Sequence, residues 1–336
     1  MLGLIARADN RGLGQQTWAV YRNLKPAKTL VVDCPSANPL QMRYDRFPDA
    51  HIIRGLPNRH DLHLFLDGLT TVYTAETGYG HDLWHMAADR NISTVLHANY
   101  EFLDPHDDPT VWAAPSEWHL DLFPPGTIHL RVPIETDRFP ITEKPRTASR
   151  FLHVVGRPAV FDRNGTLDLL KALRYVTATI TVTVTCQQPG YVSGLIAEHN
   201  ITTPANVTLV VDSDDHPNYW DLYQNQHVLV LPRRFGGLCL PAQEAIGAQM
   251  PVIMPDISPN DAWLCKAWLI EAHHQGDFRA KQHLQYFEVN PADLAARIDQ
   301  FATDEDFYQH SVYMASNLRN ALSWDTLTPH YRALLT

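Results

Sequence analysis

The sequence has few of the features that mark secreted or membrane-embedded proteins. Its 336 residues include only four cysteines, which lie far apart without a C-x-x-C pair, and this argues against a disulfide framework or a cysteine zinc site. No window approaches the roughly 20 apolar residues of a membrane-spanning helix. The apolar start of about six residues is too short for the core of a signal peptide. We therefore expect an intracellular protein without a membrane span.

Positive charge is scarce as well. The 27 Lys and Arg residues are outnumbered by 37 Asp and Glu, which gives a formal net charge of −10 with histidine neutral. This acid excess argues against a continuous basic face for nucleic acid or anionic membrane, although it leaves room for a local basic pocket that binds a small phosphate compound. Hydrophobic residues make up 45% of the chain, which is typical of a folded core. The sequence contains neither internal repeats nor low-complexity tracts.

Short apolar runs alternate with helical patterns along the chain, and this alternation predicts parallel sheets covered on both faces. Strands are predicted at residues 2–6, 29–33, 71–74, 94–97, 111–114, 128–132, 151–155, 179–185, 207–211, 227–231 and 252–254, and helices at 16–24, 80–90, 165–174 and over most of 291–335. Residues 139–150 contain two prolines and mixed charges without periodicity, which favours a linker. The pattern predicts two Rossmann-like α/β domains, 1–142 and 150–320, that face a cleft.

A glycine-rich turn, D-N-R-G-L-G-Q-Q-T at residues 9–17, separates the first strand from the first helix. Glycines there let the backbone approach a ligand, and the free amides of a helix start attract an anion. Thr17 occupies the third glycine position of a dinucleotide fingerprint, so the segment matches that motif poorly. A tight strand-to-helix turn without any ligand explains the glycines equally well.

The strongest local signal is the segment HVLVLPRRFGGLCLPAQEAIGAQMPVIMPDISPN at residues 227–260. A buried strand ends at Pro232, a glycine loop follows, a helix starts near Leu240, and another strand comes directly after that helix. Loop amides and a helix N-terminus suit a diphosphate. Glu244, one turn into the helix, can accept hydrogen bonds from two vicinal hydroxyls, as a ribose requires.

This segment resembles the donor-site signature of two-domain GT-B glycosyltransferases, in particular of the retaining family 4 type, which reads P-S-x-x-E-G-F-G-L-P-x-x-E-A-x-A-x-G-x-P-V-I. The matching residues are Pro232, Gly237, Leu240, Pro241, Glu244, Ala245, Ala248, Pro251, Val252 and Ile253. Further likenesses are V-G-R at 155–157 with N-G at 164–165, V-P-I-E-T-D-R-F at 132–139, A-P-S-E-W at 114–118 and S-W at 323–324. The resemblance covers nearly the whole chain and implies a GT-B fold whose C-terminal helix, 321–336, packs back toward the first domain.

The resemblance also implies a donor site on the second domain, with two departures. Gly236 stands where the family has the first glutamate of its pair, a residue that usually contacts the donor sugar. Asn164 stands where the family has a lysine, so that Arg157 has to neutralise the phosphates, with Arg163 or Arg233 beside it. Exposed surface charge is the alternative for Arg157 and Arg163. The expected donor contacts are Gly14, Arg157, Arg163, Gly236, Gly237, Leu238, Cys239 and Glu244.

Candidate catalytic residues follow strands of the first domain. His97 stands at the carboxyl end of a predicted strand, where α/β sheets place their ligands, and it resembles the family's strand-end histidine that lines the catalytic centre. Glu76 and Glu101 follow neighbouring strand ends and are the other catalytic candidates. Asn10 and Asn99 are candidates for binding the acceptor. A satisfied core histidine, and surface or capping roles for the others, are the alternatives.

No metal or cofactor is expected. His81 and His85 have the i, i+4 spacing of a zinc-protease helix, but Asp82 stands where that motif has glutamate and no third ligand is evident. The D-S-D-D sequence at 212–215 has the form of the metal-binding D-x-D of the other glycosyltransferase fold. It follows a strand of the second domain, so a solvated loop with a helix cap before Pro217 is the better interpretation.

The resemblance implies a hexosyltransferase that moves a sugar from a nucleotide-sugar donor, here a UDP-sugar, to an acceptor hydroxyl with retention of configuration. The compact first domain and the R-A-D-N-x-G-L-G opening resemble enzymes of bacteriophages and actinobacteria, which implies a cytoplasmic location in a bacterial or phage-infected cell. A hydroxymethylated base in phage DNA is one possible acceptor, and proteins or glycans are others. A catalytically inactive GT-B-like binding protein and a nucleotide-sugar epimerase remain alternatives.

Overall fold

The computed structural model describes residues 1–34, 42–214, 216 and 218–335, and it divides the chain into two compact units. Unit 1 comprises Met1–Pro133 and Trp324–Thr336, and unit 2 comprises Ile134–Ser323. The division lies ahead of segment 139–150, where the sequence suggested a linker. The physical reason is that the apolar side chains of Ile134 and Phe139 pack against Gly247 of unit 2.

Unit 1 is built on a parallel sheet of seven strands with the order β3-β2-β1-β4-β5-β6-β7. The strands are β1 (Leu2–Ala6), β2 (Lys28–Asp33), β3 (His51–Arg54), β4 (Thr71–Ala75), β5 (Ser93–His97), β6 (Val111–Ala114) and β7 (Ile128–His129), and the helices are α1 (Gly12–Leu24), α2 (Arg59–Leu66) and α3 (Asp82–Ala88). Uniformly apolar runs such as β1 are buried because helices cover both faces of such a sheet. The last predicted strand, 128–132, is shorter than expected and ends at His129.

Helix α1 begins at Gly12, four residues before the expected start near Gln16. Gly14 therefore lies in the first helical turn and not in an open loop. A Cβ at Gly14 would overlap the main-chain carbonyl oxygen of Asp9, so the chain can make this close approach only with glycine. The Thr17 hydroxyl donates to the carbonyl of Leu13 within the same helix at 2.9 Å.

Unit 2 is built on a parallel sheet of six strands with the order β10-β9-β8-β11-β12-β13. Its strands are β8 (Arg150–Gly156), β9 (Ile180–Cys186), β10 (Val207–Asp212), β11 (Val228–Val230), β12 (Val252–Pro255), β13 (Leu269–Ile270), β14 (Ala272–Arg279) and β15 (His283–Val289), and its helices are α4 (Thr166–Ala172), α5 (Tyr191–Glu198), α6 (Leu240–Gly247), α7 (Asn260–Trp263), α8 (Pro291–Thr303) and α9 (Glu305–Ala321). The prediction of two parallel-sheet α/β domains is confirmed.

Strands β14 and β15 form an antiparallel hairpin that the sequence did not suggest. The hairpin packs on the loops of unit 2 through aromatic side chains. The Tyr286 ring stacks on Phe161 with centroids 4.9 Å apart, and Phe278 contacts Phe235 at 4.9 Å. The hairpin therefore supports the loops that precede α4 and α6.

The chain ends in a helix, α10 (Trp324–Leu335), that belongs to unit 1. Its residues Trp324, Tyr331 and Leu335 are buried in the same core as Tyr73 of β4. The Tyr331 hydroxyl donates to the Arg131 carbonyl at 3.2 Å. None of the helices in the described part of the chain combines the length and hydropathy of a membrane span.

Candidate functional site

In unit 2, predicted donor residues follow two neighbouring strands at the carboxyl edge of the sheet, whereas Gly14 lies in unit 1. Arg157 directly follows β8, and the loop 236–239 lies between β11 and α6. These two strands are adjacent in the sheet, and the strand order reverses direction between them. Ligands of open α/β sheets bind at such a reversal point. The fold therefore places Arg157 and the glycine loop where a ligand is expected.

Gly236 is the most constrained position of this loop. Its backbone has a φ of +119°, which residues other than glycine rarely adopt. The terminal Nη2 atoms of Arg163 and Arg233 also occupy the space that a Cβ would fill. A glutamate at this position would therefore have to displace two guanidinium groups, which stand where its side chain would begin.

Arg233 and Arg234 are neighbours in sequence and both are buried, yet their surroundings differ. Arg233 donates to the main-chain carbonyls of Phe235 and Leu238, both at 3.0 Å. Arg234 pairs with Asp168 of α4 at 2.8 Å and with Glu288 of the hairpin at 2.9 Å. Arg234 therefore joins three elements structurally, whereas Arg233 shapes the glycine loop.

The helix α6 begins just after the glycine loop. Cys239 is its N-cap residue, and its side chain accepts no capping hydrogen bond within the described structure. Gly237 and Cys239 are buried, and Leu238 is half-buried. A helix N-terminus carries partial positive charge and favours an anion.

Glu244 lies in α6, partly buried, and accepts a hydrogen bond of 2.5 Å from the Tyr223 hydroxyl. Burial raises the pKa of Glu244 to about 7, while the Tyr223 hydrogen bond acts in the opposite direction. Glu135 also raises this pKa through its negative charge, and Arg138 lowers it. The carboxyl is therefore poised between its neutral and ionised forms near neutral pH.

Glu135, Arg138 and Tyr223 are functional candidates that the sequence analysis did not single out. Glu135 and Arg138 are both buried and form an ion pair of 3.0 Å, and the Arg138 guanidinium lies 4.7 Å from the ring centroid of Trp220. A signal was available, since Glu135 and Arg138 belong to the 132–139 segment that resembles the family motif. Nothing in the sequence shows that this segment lies beside Glu244.

Asn164, at the position of the family's lysine, has another task in this chain. Its side-chain amide donates to the Val155 carbonyl at 2.7 Å and so joins the loop before α4 to the end of β8. Arg163 is the adjacent cation, and its guanidinium lies 5.2 Å from the ring centroid of Phe235. The cations near the glycine loop are therefore arginines.

In unit 1, the sheet also gathers the predicted residues at one edge. β1, β4 and β5 are adjacent, and Asn10, Glu76 and Asn99 follow their respective ends. Glu76 has a φ of +59°, and its amide donates to the His97 carbonyl at 2.9 Å. Asn99 and Glu101 are buried. The Asn10 side chain is half-buried, and its amide oxygen accepts a hydrogen bond from Arg46 at 2.8 Å.

His97 is buried within unit 1. Its Nδ1 lies 2.8 Å from the Tyr73 hydroxyl and 3.2 Å from the Gln16 amide nitrogen. The Tyr331 ring lies 6.3 Å from the imidazole, centroid to centroid. Burial lowers the pKa of His97 to about 3, although the adjacent Leu130 carbonyl acts in the opposite direction. The imidazole is therefore neutral at physiological pH.

The described residues contain no cluster of three or more His, Cys, Asp and Glu side chains that could hold a metal ion. Asp212 of the D-S-D-D sequence accepts a hydrogen bond from His216 at 2.7 Å. Asp215 and Pro217, where the helix cap was expected, lie outside the described residues. His81 contacts the ring of His106 at 5.6 Å, centroid to centroid.

Comparison with solved structures identifies the architecture. The chain is similar to a sucrose-phosphate synthase from Thermosynechococcus elongatus, with 15% identity, a TM-score of 0.68, and 99% of this chain and 97% of that chain covered. It is also similar to Anabaena HepE in a complex with UDP and glucose, with 11% identity, a TM-score of 0.67, and coverages of 100% and 99%. It is similar as well to a glycosyltransferase from Rickettsia africae, with 13% identity, a TM-score of 0.65, and 99% of this chain and 97% of that chain covered.

These likenesses, together with the two parallel sheets, show that the chain has the GT-B fold. Neither a protein-family model nor a curated protein sequence matches it.

Proposed function

We propose that this protein is a retaining, family 4-like glycosyltransferase that takes a hexose from a UDP-sugar. The observation that carries the proposal is the group of residues at the reversal point of the unit 2 sheet. The glycine loop, the start of α6, two converging arginines and Glu244 all belong to this edge or to the helix that follows it. Arg157 and helix amides suit the diphosphate, and a carboxylate suits ribose hydroxyls.

Catalysis in this proposal is largely electrostatic. The acceptor hydroxyl attacks the anomeric carbon on the face from which the diphosphate departs, and the bond from that carbon to the diphosphate oxygen breaks. The diphosphate leaves with the electron pair and takes up the proton of the hydroxyl. The Arg157 guanidinium group and the amides near α6 stabilise the charge that develops on the leaving oxygen. Glu244 holds the ribose through its carboxylate. No resident metal or cofactor is part of the proposal.

The residues of the unit 1 edge are assigned to catalysis and to the acceptor. His97 is neutral and can exchange a hydrogen bond without carrying charge. Glu76 and Glu101 are the proposed carboxylates near the reacting hydroxyl, and Asn10 and Asn99 are proposed to bind the acceptor. As acceptor we propose a hydroxymethylated base in bacteriophage DNA, which the enzyme would have to extrude from the duplex. A protein or glycan hydroxyl is the competing assignment.

The donor assignment is tested with a panel of nucleotide sugars. A bound donor stabilises the folded state, so we expect a UDP-sugar to raise the melting temperature and to be hydrolysed slowly in water. The Glu244→Ala variant should lose both effects. Conversion of the free UDP-sugar to its epimer without an acceptor would instead identify an epimerase. Binding without hydrolysis or transfer would identify an inactive GT-B-like binding protein.

The acceptor assignment needs a separate experiment. Duplex DNA with and without hydroxymethylated pyrimidines is incubated with the enzyme and with the donor that binds in the first experiment. The DNA is then digested to nucleosides, and their masses are measured by mass spectrometry. We expect a hexose mass only on the hydroxymethylated base, and DNA binding that weakens steeply with salt. Absence of both transfer and low-salt binding would rule out DNA as the acceptor.

A further inference from the structure

Two guanidinium groups converge on one point of the proposed donor site. Arg163 comes from the loop before α4, and Arg233 comes from the loop before α6. Their Nη2 atoms both lie against the Cα of Gly236, and a Cβ on that glycine would be only 3.0 Å from the Arg163 Cζ. Two guanidinium groups that converge on one point can donate together to the oxygens of a single anion.

The local structure holds both arginines in this arrangement. Arg233 is buried and donates to two main-chain carbonyls, which fix its orientation but carry no compensating net charge. The Arg163 guanidinium lies over the Phe235 ring, and Phe235 in turn packs on Phe278 of the hairpin. Arg234, by contrast, is balanced by Asp168 and Glu288. The charge of Arg234 is thus matched within the fold, and that of Arg233 suits a ligand.

The chemistry of this point differs from that of a site for a neutral hexose. Hexose hydroxyls donate hydrogen bonds to carboxylates, and a glutamate at position 236 would accept them. Guanidinium groups only donate, and their planar fork matches the two oxygens of a carboxylate. Gly236 therefore offers no hydrogen-bond acceptor where the family has glutamate, and two guanidinium donors project into the space beside it.

We infer that the donor sugar carries a carboxylate, as in a nucleoside-diphosphate hexuronic acid, and that Arg163 and Arg233 bind this group. The inference rests on the proposed function. Arg157 and the amides of residues 236–239 then bind the diphosphate. The distal phosphate is the other anion that two arginines accept, and the experiment separates these two sources.

The test compares three ligands by isothermal titration calorimetry: UDP, UDP-glucose and UDP-glucuronate. They share the base, the ribose and the diphosphate, and only the last carries a sugar carboxylate. We expect wild-type protein to bind UDP-glucuronate at least about tenfold more tightly than UDP-glucose, since hydrogen bonds to a charged group are stronger than those to a hydroxyl. This comparison needs no variant and therefore does not depend on a variant's folding.

The variants Arg163→Gln and Arg233→Gln then locate the effect. We expect each to lose about tenfold or more in affinity for UDP-glucuronate and little for UDP or UDP-glucose. Arg163→Lys should recover part of the loss, because it keeps the charge without the fork. Arg174→Gln, which changes an exposed arginine of the same unit, is the matched control.

The outcomes separate the inference from the proposed function. Equal affinity of the wild type for UDP-glucose and UDP-glucuronate would overturn the inference and leave the transferase assignment intact. An equal loss for all three ligands in both variants would also overturn it, because the arginines would then bind the distal phosphate. If none of the three ligands binds the wild type, the proposed UDP-sugar function fails as well.

Discussion

The two sheets have equivalent strand orders, but their carboxyl edges have different chemistry. In unit 1, the edge carries carboxylates, amides and a neutral buried histidine held by Tyr73 and Gln16. Its Arg7, which follows β1, pairs with Asp9 at 3.0 Å. In unit 2, the equivalent edge carries arginines around a glycine loop. The common topology determines where a ligand can bind, and the side chains determine which ligand it is. We assign the anionic donor to unit 2 on this difference.

The largest effect is expected when the buried Arg234 of unit 2 loses one of its ion-pair partners. Asp168→Ala leaves Arg234 buried with only Glu288 as a carboxylate partner, and breaking a buried pair in this way costs about 3 kcal/mol or more. Urea denaturation should show the loss. Asp214→Ala changes an exposed aspartate of the same unit and should stay within about 0.5 kcal/mol of wild type. Equal stability of the two variants would contradict the structural role of Arg234.

Two glycines with the same φ give a matched comparison between the units. Gly236 and Gly80 both have φ of +119°, but a Cβ at Gly80 has no neighbour within 4 Å, whereas one at Gly236 meets two arginines. Alanine at either position incurs backbone strain of about 1–3 kcal/mol. We expect Gly236→Ala to be the more destabilising in thermal melts and alone to weaken donor binding. Equal effects would mean that Arg163 and Arg233 move away without consequence.

The neutral histidine of unit 1 should make stability depend on pH. The pKa of His97 is about 3 in the folded protein and near its ordinary 6.5 when unfolded, so the unfolded state binds more protons between these values. The contribution of this histidine to the free energy of unfolding is fully present above pH 6.5. Below that value it should fall by about 1.4 kcal/mol for each pH unit. His97→Gln should flatten that slope in urea titrations at pH 7 and 5.

Exposed His330 provides the control, because its replacement by Gln removes a histidine of the same unit without removing a buried one. A slope unchanged in His97→Gln but reduced in His330→Gln would contradict the buried, neutral state of His97.

The smallest expected effect concerns Glu244. Its pKa of about 7 means that the carboxylate, the form that accepts ribose hydroxyls, is lost as the pH falls through 7. Affinity for UDP-glucose should therefore decrease by up to about tenfold from pH 8 to pH 6. Glu244→Gln should remove this dependence in calorimetric titrations, and Glu271→Gln, at an exposed position, should retain it. A dependence that persists in Glu244→Gln would assign it to another group.

The sequence predicted the parallel sheets because their strands are short, apolar and regularly alternate with helices. It did not predict the β14–β15 hairpin, whose residues are largely polar and whose Tyr286 and Phe278 rings pack on Phe161 and Phe235. Strand β3, with its exposed side chains, was missed for a similar reason. Local patterns carry little information where burial depends on residues distant in sequence.

The candidate site shows the same limit. Glu244 and the glycine loop could be found because their spacing resembles a known motif. The different tasks of Arg233 and Arg234 could not, since two identical neighbours are distinguished only by Asp168 and Glu288. Gly236 could be recognised as a departure from the motif, but the arginines that fill its space come from two separate loops.

Hydrogen–deuterium exchange with and without UDP-glucose tests the donor assignment most directly. The account predicts slower exchange in peptides that cover residues 236–244 and 156–165 of unit 2, because a bound donor restrains these backbone amides. Binding that leaves these peptides unchanged and slows exchange only at residues 7–14, 76–80 and 97–101 of unit 1 would contradict it.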